Sequence, residues 1–145
     1  IFSHTGGALE RVAVRGVLEE IIAGAGIGGA RVELLGDGSP EPRANLPAFK
    51  RLVGALVIGF DWKNNPGTGL RISIRGSGEK GSISFRYRGT RFDDLAPGTF
   101  FLPYATKRHF LAATELYEAA VIARAHGWSL RLEQGDDHST LELVF

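Results

Sequence analysis

Leu70, Ile72 and Ile74 alternate with Arg71, Ser73 and Arg75. A few residues later Ile83, Phe85 and Tyr87 alternate with Ser84, Arg86 and Arg88. Successive side chains on a strand point to opposite faces, so each run carries one apolar and one polar face. The stretch between them, GSGEKG at 76–81, reads as a hairpin loop. A sheet built on this pair needs cover on one side only and can leave the other to water. Helices with apolar stripes are the usual cover, which restricts the chain to a two-layer α/β sandwich.

The remaining elements fit that restriction. Leu9 to Val14 is expected as a short strand. From Arg15, the apolar residues Val17, Leu18, Ile21, Ile22 and Ala25 fall at helical spacing, and AGAGIGGA ends the helix. Its glycines at 24–29 resemble a phosphate loop by composition, but they follow a helix and do not open one. Arg31 to Leu35 alternates as a strand, and Gly36 to Arg43 reads as a loop.

Pro47 suits the first turn of a second helix, with Asn45 or Leu46 near its cap. Phe49, Leu52, Val53, Leu56 and Phe60 share one face of it, and NNPGTG at 64–69 stops it. The segment 89–107 is irregular. A third helix is expected over Leu111 to Ala125, with Phe110, Ala113, Tyr117, Ala120 and Val121 on one face, and Gly127 ends it. Leu130 and Leu132, then Leu141, Leu143 and Phe145, are the inward positions of a last hairpin turned by Gln134 to His138. The order is β-α-β, α, β-β, α, β-β: a mixed sheet with about three helices on one face. Residues 1–8 are expected as a loose N-terminal segment and 9–145 as one domain.

Composition narrows function. With 43% hydrophobic and 23% charged residues the chain is globular. A net charge of +1, with Lys and Arg scattered, gives no electrostatic case for nucleic acid or an anionic membrane as partner. The absence of cysteine removes disulfides, thiol catalysis and thiolate metal sites. No apolar run nears the ~20 residues of a membrane span, and a cytoplasmic location is expected. The chain opens on Ile1, not methionine, and is expected to be a piece of a longer protein.

Several strings, taken in order, resemble the ATP-binding domain of sensor histidine kinases, of the GHKL superfamily. LERVAVRGVLEEI is similar to that family's opening strand and helix, and FKRLVGALVIGFDWKNNPGTGLRISI to the helix carrying its N-box. TFFLPYATK is similar to its F-box, and IARAHGWSLRLEQGDDHSTLELVF to its final helix and hairpin. The resemblance covers about residue 9 to 145 and implies a Bergerat-type fold, ATP and Mg²⁺ as cofactors, and a role in two-component signalling.

The positions that would hold the nucleotide depart from the pattern. Where the resemblance implies asparagines, one of them a Mg²⁺ ligand through its carboxamide oxygen, the chain has Ala55 and Gly59. Asp61 and Asn64 stand close enough to substitute if the register slips. Where it implies Asp-x-Gly-x-Gly, the aspartate accepting from the adenine amino group, the chain has Tyr87-Arg-Gly89-Thr-Arg91. Only Gly89 is kept, and a tyrosine would fill an adenine slot instead of reading it. Where it implies a Gly-x-Gly stretch leading into a phosphate-holding helix, the chain has LAATE at 111–115, with Glu115 adding negative charge.

Other candidates have local readings. The histidines His4, His109, His126 and His138 stand too far apart for metal-ligand spacing. Phe2-Ser-His4 is similar to a phosphoacceptor motif but lies too close to the domain for an intervening helical hairpin. His109 falls where the family's lid would be. His126 stands at a helix C-terminus, where the dipole favours a cation. Asp93-Asp94 reads as a turn cap as well as an acidic pair. Lys107 and Arg108 could meet phosphate or simply be solvated. Phe100, Phe101 and Tyr104 could pack on the core or form a docking patch.

Three functions follow. The first is a degenerate, nucleotide-free histidine-kinase-like domain acting through protein contacts with a kinase, a response regulator or a second copy. The second is a divergent but working ATP-binding domain using Asp61 or Asn64 for Mg²⁺. The third is a small-molecule sensor in which Tyr87, Arg91 and Trp62 line the former cleft.

Overall fold

The computed structural model describes residues 9–26, 31–58, 67–88, 113–135 and 137–145. Its sheet is built on the alternating runs. β5 (Gly69–Gly78) and β6 (Lys80–Arg88) pair antiparallel with Ile72 opposite Phe85 and Ile74 opposite Ile83. The hairpin is tighter than the expected 76–81 loop. Strand pairing runs on until only Glu79 turns the chain, because Gly76 and Gly78 take positive φ (107° and 60°).

β2 (Val32–Leu35) adds parallel to β5 on one side. On the other side β8 (His138–Val144) pairs with β6, and β7 (Ser129–Gln134) pairs with β8, both antiparallel. The order β2-β5-β6-β8-β7 makes a mixed sheet, as expected.

α1 (Val14–Gly24), α2 (Leu46–Val57) and α3 (Ala113–Ala125) supply the cover. From the sheet, Leu70, Ile72, Ile74, Ile83, Phe85, Leu141 and Leu143 have no solvent exposure. They form one core with Val14 and Leu18 of α1, Phe49, Leu52, Val53 and Leu56 of α2, and Ala119, Ile122 and Ala123 of α3. Asn45 caps α2 as expected, its side-chain oxygen accepting from the Ala48 N–H at 3.0 Å, with Pro47 in the first turn. Phe60 lies outside the described residues. Among the described residues no helix is long and apolar enough to cross a membrane.

Three expectations need correction. The first strand is confined to β1 (Glu10–Arg11), and Val14 already belongs to α1. The segment 36–43 is not a plain loop: it holds β3 (Ser39–Pro40), parallel to the end of β5, and reaches β4 (Arg43–Ala44), which pairs with β1. Two-residue strands have no period to read.

The buried face of α3 is also different. Ala119, Ile122 and Ala123 point inward while Tyr117 is 43% exposed and Ala120 and Val121 are only half-buried. At ~100° per residue that face is turned by close to half a turn. Alanine on every side of this helix blurs its stripe, so packing against α2 and the sheet decides. The expected start of this helix at Leu111 lies outside the described residues, and its expected end at Ala125 is the observed one.

Segment 36–40 lies flush on the sheet because it has glycine where it touches β5. Gly36 has φ +93°, and a Cβ there would run into the Ile74 carbonyl oxygen. A Cβ on Gly38 would stand 2.8 Å from Arg75 Cα. Arg15 of α1 reaches over and donates to the Gly36 carbonyl and, at 3.1 Å, to that of Gly38. Gly36→Ala is expected to destabilise by roughly 1–3 kcal/mol through this strain, read as a lower urea midpoint at unchanged slope.

Candidate functional site

The site singled out by the sequence lies where the C-terminal turn of α2 meets the end of β6. The last four carbonyls of a helix have no partner inside it. Here Gly54 O accepts from the Ile58 N–H at 2.7 Å. The Leu56 carbonyl, facing the core, accepts a hydrogen bond from the Tyr87 hydroxyl. Tyr87 has no solvent exposure and is among the largest fully buried side chains. Its ring lies between α2 and the sheet, and its hydroxyl closes the helix end.

Register explains how β6 delivers that ring. Tyr87 continues the inward series Ile83, Phe85, and its neighbours across the sheet are Leu70 on β5 and Ser139 on β8. Leu70 and Ser139 are also fully buried. Burial pushes the Tyr87 phenol well above its ordinary value, since the ionised form would lose its hydration. It is therefore a neutral hydrogen-bond donor at any physiological pH.

Ala55 stands on α2 one residue before Leu56. It is half-buried and carries only a methyl group, which can ligate nothing. Of the positions the sequence singles out, then, the structure brings Ala55 and Tyr87 to the same helix end. Gly59, Asp61, Trp62, Asn64, Gly89 and Arg91 lie outside the described residues. So do His4, Asp93, Asp94, Phe100, Phe101, Tyr104, Lys107, Arg108 and His109. Ala113 to Glu115 form the start of α3. Among the described residues no group of three or more His, Asp or Glu side chains could hold a metal ion.

Near the opposite end of α2 the structure shows a histidine role that differs from the sequence reading. His126 follows α3, as expected, but hydrogen bonds define its place. Its Nε2 lies 3.2 Å from the Asn45 backbone nitrogen and its Nδ1 2.8 Å from the Ile122 carbonyl oxygen. The amide can only donate and the carbonyl can only accept. The ring is therefore the neutral tautomer with its proton on Nδ1. It joins the end of α3 to the cap of α2 and stacks on Trp128 at 4.6 Å. No sequence signal pairs positions 45 and 126.

The remaining histidine, His138, sits on the solvent face of the sheet, with Nδ1 3.2 Å from Asp137 and 3.4 Å from Arg86. Gly26, after α1, has φ +70°, the left-handed conformation of a helix-ending glycine.

No family model matches the chain, and no curated protein does. Solved structures match across nearly all of it. The mycobacterial sensor histidine kinase MprB aligns with a TM-score of 0.76 at 12% identity, over 94% of this chain and 96% of its own. The catalytic domain of histidine kinase ThkA, nucleotide-free, aligns with a TM-score of 0.74 at 13% identity, over 96% of this chain and 95% of its own. Histidine kinase AdeS of Acinetobacter baumannii aligns with a TM-score of 0.68 at 14% identity. That match takes in 94% of this chain but 66% of AdeS. Identities this low speak for the fold, and the fold is that of histidine-kinase catalytic domains.

Proposed function

We propose, from the histidine-kinase catalytic-domain fold as premise, that this chain is a degenerate member working in two-component signalling through protein contacts and without nucleotide. A kinase, a response regulator or a second copy of the chain would be the partner, and the cytoplasm its place of work. The observation that carries the reading is Tyr87. The sequence resemblance puts it where an adenine-reading aspartate would stand. The ring instead fills that place as core, with its hydroxyl spent on the Leu56 carbonyl. Ala55 supports the same reading, because a methyl group offers no oxygen to Mg²⁺. At this helix end Ala55 and Tyr87 offer neither a carboxamide oxygen for Mg²⁺ nor a carboxylate for adenine, which supports a role without ATP.

Thermal unfolding in the presence of Mg²⁺ with ADP or a non-hydrolysable ATP analogue is the direct test. A ligand that binds the folded state at a hundred times its Kd stabilises by about 2.7 kcal/mol, a shift of several degrees for a domain of this size. The expected result is a midpoint that stays put up to millimolar nucleotide. A rise that scales with nucleotide concentration would overturn the proposal in favour of a divergent working ATP-binding domain.

A further inference from the structure

The polar face of the sheet is open, and its side chains are arranged in rows that the register defines. One row across the strands runs Glu33, Arg71, Arg86, Thr140, Glu133. The next runs Leu35, Ser73, Ser84, Glu142. Beyond it Arg75 stands opposite Ser82. Ser73 and Ser84 thus form a low strip with Arg71 and Arg86 on one side and Arg75 on the other. Four residues along a strand separate Arg71 from Arg75, about 13 Å, which is wide enough for a helix about 10–12 Å across.

The charge on this face is not balanced: Arg71, Arg75, Arg86, Arg88 and Arg131 face Glu33, Glu133 and Glu142, and Glu133 is two strands from Arg86. Arg71 and Arg86 are directly opposed, an arrangement that weakens a sheet unless something neutralises it. Glu33 lies 3.6 Å from Arg71 and 2.9 Å from Arg88, and Glu142 lies 2.6 Å from Arg131. Those carboxylates are then used. Among the described residues Arg86 meets His138 at 3.4 Å and no carboxylate, and no described carboxylate pairs with Arg75. Leu35, 39% exposed, stands at the head of the serine strip as an apolar foothold. No aromatic residue lies on these rows, so a single-stranded nucleic acid would find nothing to stack on. The interspersed Glu33 and Glu142 would repel a continuous phosphate backbone.

We infer that the serine strip between Arg71/Arg86 and Arg75 docks an acidic amphipathic helix of a partner protein, with carboxylates on the arginines and an apolar residue on Leu35. This surface is on the other side of the sheet from Tyr87 and α2. Its test and the nucleotide test can therefore fail separately.

The probe is a synthetic acidic amphipathic helical peptide of about 20 residues, ~30 Å long, titrated into ¹⁵N-labelled protein. A single-stranded DNA of matched net charge is titrated in parallel. The peptide is expected to move the amide resonances around Ser73 and Ser84, and to weaken at least about tenfold in the Arg75→Glu/Arg86→Glu variant. Added salt should weaken it as well. An Arg75→Gln/Arg86→Gln variant with an unchanged melting temperature separates lost docking from lost folding, and it should weaken binding by less than the Glu pair. DNA binding as tight as the peptide, peptide binding indifferent to both variants, or no shifts at millimolar peptide would each overturn the inference.

Discussion

Replacing Tyr87 by aspartate, the residue that the sequence resemblance implies at this position, is expected to unfold the domain and not to restore a nucleotide site. The ring is fully buried, so truncation removes an aromatic side chain worth about 3–5 kcal/mol to the core. The new carboxylate would be left in apolar surroundings beside the Leu56 carbonyl, which repels it. Total stability of a domain is only about 5–15 kcal/mol, so far-UV circular dichroism should report a largely unfolded chain at pH 7.

Tyr87→Phe isolates the hydroxyl. It leaves the packing and orphans a buried acceptor, at a cost of about 1–3 kcal/mol. The same residue sets an alkaline limit. Its folded-state ionisation is raised above the unfolded one, so its contribution is fully present below about pH 10 and is lost as pH climbs beyond that, by up to about 1.4 kcal/mol per pH unit. Urea midpoints between pH 8 and pH 11 should fall in the parent and less steeply in Tyr87→Phe. A Tyr87→Asp chain as stable as the parent would remove the basis for treating this position as core.

The second large effect is expected at Trp128. Its ring meets Phe49 of α2 edge-on at 6.0 Å, Phe145 at 5.2 Å, and the stacked His126 at 4.6 Å. It thereby fastens α2, the end of α3 and the last residue of the chain to one point. Trp128→Ala should cost about 2–4 kcal/mol, slightly below the range for fully buried aromatics because the ring is only half-buried. His126→Ala should cost less, about 1–2 kcal/mol, by orphaning the Asn45 N–H and removing the stacking partner. Because the two rings touch, the double variant should depart from additivity. Denaturant titrations of the three variants measure all of this. Strict additivity would mean that the stacking contact contributes nothing.

How much of this was legible in the sequence differs from element to element. The inward face of the central hairpin was legible to the residue, because a period of two admits one inward set, and Ile72, Ile74, Ile83, Phe85 and Tyr87 belong to it. α2 was equally clear, since Asn45, Pro47 and an uninterrupted stripe mark its start and its buried face. β3 and β4 were not, because two-residue strands have no period to read, and the segment holding β3 lies on β5 only where glycines let one backbone press on another. The face of α3 was misread because alanine fits either side of a helix, and the surrounding elements select one.

The candidate site divides along the same line. The resemblance carried by the sequence puts Ala55 and Tyr87 where ligand-binding residues would be expected, and the sequence determined their chemistry: a methyl cannot ligate and a phenol is not a carboxylate. It also determined which arginines and serines share the polar face, because side chains alternate along a strand; which of them stand opposite one another came from the pairing of strands distant in the chain. Only the tertiary structure decided what Tyr87 does instead. Which carbonyl a buried hydroxyl reaches depends on where a helix thirty-one positions earlier in the chain comes to lie. The same holds for His126, whose partner at Asn45 is eighty-one positions away. Local patterns encode which face is buried. Contacts between distant segments arise only when packing brings those faces together, and packing is a property of the whole core.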